Sequence, residues 1–360
     1  MSRLCRFFVV IFLALATLPS WASSTVTVGQ CVPRVVGFLT IMDALTYAPP
    51  PTVVKVCPGT YNEQIEITKP VTLQGISDGT SSQVLIAPQN LVENAVSTDG
   101  ESLAVVVFVN QAAGAVNISN ITVDGTGKGN LPSDSLVVGV LYQNTPGSVK
   151  NVTARNLQNN PLDLKGVGIW LEGGASTPNI TLERCSIHDF DNAGVIAVLQ
   201  LNLTATQNNI YNPLPGPVPN LTSASGFVLN DGVTATISEN LIQGERVGII
   251  EGNSLTGTIS NNTVIDTPFG ISVDADGFSV IGNKIIGSTQ QAIQVDSALS
   301  LIKSNTIVGA RLGIGFNCFA NPNVHNNTFV DSVTALFEVP DGLLTTNSYF
   351  GVGTIRTGGC

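Results

Sequence analysis

The chain has 360 residues, 25 acidic against 15 basic, a formal charge of −10 and 43% hydrophobic residues. That is enough apolar material for one long domain, and the acidic balance disfavours a partner with a phosphate backbone. With only 11% charged residues, the surface takes its polarity from Asn, Ser, Thr and Gly rather than from ions.

Residues 1–22 read as a secretory leader: Arg3 and Arg6, an apolar run from Phe7 to Leu18, then Ser20-Trp21-Ala22 as a small-x-small cleavage site. The run is too short to span a bilayer. Because the leader carries two arginines and no acid, its removal moves the formal charge from −10 to −12. The expected location is secreted or periplasmic, an oxidising setting in which Cys31 pairs with Cys57 and Cys318 with Cys360. Cys185 is expected as a buried free thiol. Two histidines and no CxxC pair argue against a metal cluster or a metal-maturation role.

Residues 23–75 form the predicted cap and first coils. The spacing of Phe38, Ile41, Met42, Ala44 and Leu45 predicts a short amphipathic helix over 37–48, placed to cover the open end of a stack. Next come Pro58-Gly59-Thr60-Tyr61-Asn62-Glu63 and Pro70-Val71-Thr72-Leu73-Gln74-Gly75. Helix, turn and strand together resemble the opening of pectin methylesterases and related carbohydrate-associated β-helix proteins of the pectin-lyase-like superfamily. The resemblance implies architecture and a polysaccharide ligand. It brings no active site, because the Gln-Asp-Thr-Leu and Gly-Arg-Pro-Trp segments of that family are missing and only Asp189-Phe190-Asp191 is similar to its Asp-Phe-Ile-Phe-Gly segment.

Residues 76–360 carry a repeat. Asn240, Asn262, Asn283, Asn305, Asn327 and Asn347 follow one another at 22, 21, 22, 22 and 20 residues. Each is preceded at three residues and followed at two by an apolar residue, as with Ile259 and Val264. Eight or nine residues after the asparagine stands a small residue, Gly248, Gly270, Ala292, Gly313 or Ala335, followed by Ile249, Ile271, Ile293, Ile314 or Leu336. Such a unit cannot bury its apolar face alone. Short period-two runs separated by Gly, Asn and Asp predict an all-β fold: a single-stranded right-handed parallel β-helix of about ten coils. At ~4.8 Å per coil the stack is roughly 45 Å long.

Counted from asparagine-equivalent slots at Ile121, Arg155 and Asn208, earlier coils carry insertions near 125–135, 159–165 and 211–225, all at one corner, and insertions on one face often mark a binding face. On the following strand the outward column reads Val106, Leu141, Trp170, Ile196, Val228 and Ile250 before turning polar at Ser272 and Gln294. Either the insertions fold over this face, or it is a sugar-stacking groove centred on Trp170. The polysaccharide reading takes Trp170, Tyr142 and Tyr211 as substrate contacts. Its catalytic candidates are Glu172, His188, Asp189, Asp191 and Asp231, for lyase, hydrolase or epimerase chemistry in which carboxylates tune a histidine. The competing reading is a lone histidine on a surface turn in a non-catalytic surface or adhesion module. Asp274 and Asp296, on adjacent coils, suit a glycosidase pair, a shared-proton pair or a Ca2+ site completed by Asp276 or Asn317, unless they merely end strands in turns. Glu251 stands where other coils place an apolar residue, so an inward carboxylate is expected there, unless the slot, which Glu338 shares in the last coil, is simply a corner where the strand ends. The partners expected are a polysaccharide or cell-surface glycan, no nucleic acid and no membrane, with the chain a monomer.

Overall fold

The computed structural model describes residues 24–77, 83–127, 131–132, 135–158, 165–212, 224–296, 299–317, 320–340 and 345–358. The chain winds as a parallel β-helix in which each full coil contributes one strand to each of three stacks. The coil at Asn240 is representative: Thr234–Ser238, Leu241–Gln243 and Val247–Glu251 pair in parallel with Thr256–Ser260, Thr263–Ile265 and Phe269–Val273 of the next coil. We call these stacks the first, second and third sheets. Among the described residues no helix is long and apolar enough to cross a membrane.

Equivalent side chains lie directly above one another. Ile249, Ile271, Ile293, Ile314 and Leu336 are register partners and all are buried. The small residue before each is required by the approach of the next coil: a Cβ on Gly248 would lie 2.5 Å from the Gly270 carbonyl oxygen and 2.6 Å from Val264.

The asparagines form a continuous ladder between the first and second sheets. Asn262 donates through its backbone N–H and Nδ2, both at 2.9 Å, to Asn283 Oδ1, and its Nδ2 also reaches the Ile237 carbonyl at 2.9 Å. The same pattern runs from Asn208 to Asn347. Burial makes these bonds necessary, since an unpaired amide there is costly. Cys185 stands at the upstream end, its N–H donating to Asn208 Oδ1 at 2.9 Å. It is a buried free thiol, and burial pushes its pKa up to about 12.

At the start of the chain, the helix α1 (Ile41–Tyr47) is shorter than its predicted span and turns Ile41, Ala44 and Leu45 inward. Thr40 Oγ1 accepts the Asp43 N–H at 3.0 Å, and the Glu63 carboxylate accepts the N–H groups of Ile41 and Met42 at 2.9 and 3.0 Å. The turn glutamate therefore satisfies the helix N-terminus with charge of the favoured sign. Tyr61 Oη, from the same turn, donates to the Cys57 carbonyl at 2.8 Å. Cys31 and Cys57 form a disulfide, whereas Cys318 and Cys360 lie outside the described residues.

Two register assignments differ from the sequence expectation. Leu141 pairs with Phe108, not Val106, because the third-sheet strand Ser102–Asn110 runs two residues further before entering register. In the coil of Thr153–Arg155, the buried slot before the second sheet belongs to Val152, whose carbonyl accepts the Ser186 N–H, and not to Arg155.

Candidate functional site

The outer face of the third sheet divides into a covered and an open part. Phe108, Leu141 and Trp170 are successive register partners and pack, with Leu103, Val105, Leu136, Val138 and Val167, into a second apolar cluster outside the coil. Ala95–Val96 pairs antiparallel with this sheet's edge, and Ala95 packs against the cluster. Trp170 is only 8% exposed. A groove centred on Trp170 is therefore corrected to a covered apolar layer. The insertion segments 128–130, 133–134, 159–164 and 213–223 lie outside the described residues.

Burial also corrects three other candidates. Tyr142 is fully buried inside the coil and its hydroxyl donates to the Val116 carbonyl at 3.0 Å, out of a substrate's reach. Asp191 is fully buried and its Oδ1 accepts the Gly166 N–H. Glu172 is 2% exposed, and its carboxylate accepts from Gln143 Nε2 at 2.8 Å, Thr98 Oγ1 at 3.1 Å and the Thr98 N–H at 3.3 Å. Burial raises the Glu172 pKa, those hydrogen bonds pull it down and the nearby charge of Asp99 raises it, with a net rise. It ties the end of a third-sheet strand to Thr98, just after the short strand Ala95–Val96.

The expected single cluster is split. Glu172 is the register partner of Val198, at the end of Ala193–Val198, whereas His188, Asp189 and Asp191 precede that strand. At ~3.3 Å per residue the two ends are about 20 Å apart. Asp231, an exposed left-handed turn residue whose carbonyl accepts the Gln200 N–H, lies at the Glu172 end.

His188, Asp189 and Tyr211 do come together, in an outward row of the second sheet. Ile187, Ile210 and Ile242 point inward and are buried, so the residues after them alternate outward. Asp124 pairs with Arg155, His188 with Tyr211 and Tyr211 with Gln243; continuing the register of Ala154 and Ile187 sets Arg155 beside His188. His188 Nδ1 is 2.7 Å from Asp189 Oδ2, and its ring stacks on Tyr211 with centroids 5.0 Å apart and planes 20° from parallel. Asp189 sits at φ 57, a left-handed turn position that Asp tolerates, and this brings its carboxylate back to the preceding ring. An Nδ1–H donated to Asp189 leaves Nε2 as an acceptor, and the His188 side chain keeps 17% of its surface. One coil back, Arg155 Nε donates to Asp124 Oδ2 at 2.8 Å. Burial raises the Asp124 carboxyl, but hydrogen bonds from Thr126, Asn156 and Arg155 and the Arg155 charge outweigh it and hold its pKa below the usual range.

Glu251 points inward as expected, but as a backbone anchor: it accepts the N–H groups of Ser254 and Asp274 at 3.0 Å and of Ala275 at 2.8 Å. Glu338, in the same slot, is exposed, because a register shift and φ 51 turn it outward. Asp274 and Asp296 are close enough for the charge of one to act on the other. Among the described residues no group of three or more His, Cys, Asp or Glu forms a metal site, and Asp276 Oδ1 accepts the Leu299 N–H at 3.0 Å. Arg155, Gln243, Phe337 and Gln291 escaped the sequence argument. The outward row was legible for Arg155 only once Val152, and not Arg155, held the buried slot.

A family model described as "Right handed beta helix region" matches residues 167–348. No curated protein matches the chain. Among solved structures, the chain is similar to an alginate lyase from Paenibacillus sp. str. FPU-7, at 12% identity and a TM-score of 0.51 over 94% of this chain and 99% of that one. It is similar to a GH136 lacto-N-biosidase from Eubacterium ramulus at 10% identity and 0.55, over 92% and 68%. The structure of XylC with xylose matches at 10% identity and 0.50, over 92% and 86%. At these identities the likeness is one of fold.

Proposed function

The chain belongs to the right-handed β-helix family, and on that footing we propose that it is a secreted or periplasmic monomer that binds and processes an extended polysaccharide along the outward row of the second sheet. The observation that carries this reading is the His188–Asp189 pair, 2.7 Å apart and stacked beside Tyr211, between Arg155 and Gln243. A row of donors, acceptors and ring edges repeating every ~4.8 Å suits a chain of sugar rings. Within it, His188 Nε2 exchanges a proton with the glycan, Asp189 fixes the tautomer and stabilises the imidazolium, and the Tyr211 hydroxyl is the second proton-exchanging group. Occurrence of the same coil in an alginate lyase, a lacto-N-biosidase and a xylose-binding structure supports a carbohydrate ligand. The Cys31–Cys57 disulfide supports an oxidising location.

The test is turnover of a panel of uronic-acid and neutral polysaccharides, followed by reducing ends and by unsaturated products. His188→Ala is expected to lower the rate at least about 100-fold, and Tyr211→Phe to lower it while leaving binding intact. Turnover unchanged in both variants refutes the assignment. A second reading, a non-catalytic glycan-binding module, is favoured by the pairing of Arg155 with Asp124, which leaves the row without a free cation to polarise a substrate. Its signature is polysaccharide binding with no product from the unaltered protein.

A further inference from the structure

On a different sheet, in the last coils, there is a cleft of about 240 Å³ lined by Gln291, Gln294, Asp296, Asn317, Phe337 and Glu338. It is smaller than a typical drug-sized pocket and on the scale of a single sugar ring. Its shape has a local cause. The outward column of the third sheet runs Ser272, Gln294, Gly315, Phe337 in register, and Gly315 leaves a notch between the two larger side chains. The Gln291 amide lies across that notch, 2.1 Å from where a Cβ on Gly315 would stand. The rim is shaped by the bulge at Glu338, where φ 51 turns outward a side chain whose counterpart, Glu251, is buried. Bulges that re-aim one side chain are common beside binding sites.

The cleft is rich in acceptors and negative charge. Gln294 Nε2 donates to Asp296 Oδ2 at 2.7 Å and Gln291 Nε2 donates to the Ile293 carbonyl at 3.1 Å, so both amides spend donors on the protein itself. Among the described residues neither Asp296 nor Glu338 pairs with a lysine or arginine, and no basic residue lines the cleft. Burial raises the Asp296 carboxyl, the Gln294 hydrogen bond lowers it and the charge of Asp274 raises it again, with a net rise. Phe337, half-buried, supplies an aromatic surface. An acidic cleft with an aromatic wall attracts an organic cation by charge and by its ring face together.

We infer that this cleft binds a protonated amino sugar, its ammonium between Asp296 and Glu338, its ring against Phe337 and its hydroxyls on the Gln291 and Gln294 carbonyls. The net negative charge of the chain favours a cationic ligand at long range. The site stands on residues that the second-sheet row does not use.

Titration calorimetry with glucosamine at neutral pH, against glucose and N-acetylglucosamine, tests it. Glucosamine is expected to bind at least about tenfold more tightly than either, and Glu338→Gln and Asp296→Asn each to lose about tenfold with thermal unfolding unchanged. His188→Ala should leave glucosamine affinity intact, which keeps this test separate from that of the polysaccharide row. Equal affinity for glucose, or affinity retained in both carboxylate variants, overturns the inference. So does binding abolished by low calcium chloride but unaltered by Phe337→Ala, which identifies a simple cation site.

Discussion

From Ser102 to Val198 the third sheet is largely apolar on both faces, with Phe108, Leu141 and Trp170 buried in a second cluster against which Ala95 packs. From Val247 to Val339 the same sheet is apolar inside only, and its outward column of Ile250, Ser272, Gln294 and Phe337 is at most half-buried. The slot before the second sheet differs in parallel. It holds Ile121, Val152 and Cys185 in the earlier coils and then asparagine from Asn208 to Asn347. Two halves of one solenoid thus hold neighbouring coils together differently: the first by a second apolar layer, the second by a buried amide ladder. The open polar face and its cleft occur where cohesion comes from the ladder, because a face that must be covered to be stable is not free to meet a ligand.

The sharpest way to break this comparison is Trp170→Ala. If the outer layer is a true core, the change should cost about 3–5 kcal/mol, as for an interior aromatic, although the residue points away from the coil axis. Denaturant unfolding with hydrogen exchange resolved along the chain should show the loss concentrated around residues 95–198. A cost below ~1 kcal/mol would mean that the layer is surface, and that the groove reading of Trp170 deserves to be reopened.

Next in size is the ladder. Asn283→Ala removes the acceptor of two buried donors from Asn262 and the donors that reach Ile259 and Asn305, with an expected cost of about 2–3 kcal/mol. Cys185→Ala, in the same slot but without an amide, should cost about half that or less. Equal costs at the two positions would show that packing in the slot, and not hydrogen bonding, joins the later coils.

The part of the molecule legible in the sequence is the part in which one residue determines its own environment. Ile271, Ile293 and Ile314 recur at the coil length and stack as expected. The ladder is equally local, since each asparagine meets only the next. The sequence left burial of Trp170 open against a groove, because Ala95, which packs against its cluster, belongs to no repeat. Glu338 departs from the inward position that Glu251 takes because a register shift reverses the alternation that period-two reasoning assumes. Arg155 was hidden by the assignment of the buried slot, and with it the row beside His188.

The corner between the second and third sheets sharpens the comparison through pH. Leu157 and Phe190 fill it in the earlier coils, while Glu245, Thr267 and Ser288 are buried there later. Asn212 Nδ2 donates to Glu245 Oε2 at 3.1 Å, but Glu245 Oε1 has no partner among the described residues. Burial raises the Glu245 pKa to about 8 from an ordinary 4.5, against the lowering by Asn212. The folded state therefore holds a proton that the unfolded chain releases, so this contribution is fully present below pH 4.5 and is lost as pH rises towards about 8. The slope is at most about 1.4 kcal/mol per pH unit. Glu245→Gln should flatten it, seen as a thermal midpoint that no longer falls across that window. A slope unchanged in the variant assigns the pH dependence to another group.

The smallest effect is expected where the two halves meet on the outer face. Ser272 is the register partner of Ile250 and Gln294, so Ser272→Ile extends the apolar column by one coil. In the earlier half an added isoleucine would be buried beneath the covering segment. At Ser272 the isoleucine would remain largely in water, and stability should stay within about 0.5 kcal/mol of the unaltered protein. A gain near 2 kcal/mol would mean that something covers this face in solution, and the cleft at Gly315 would then be closed along with it.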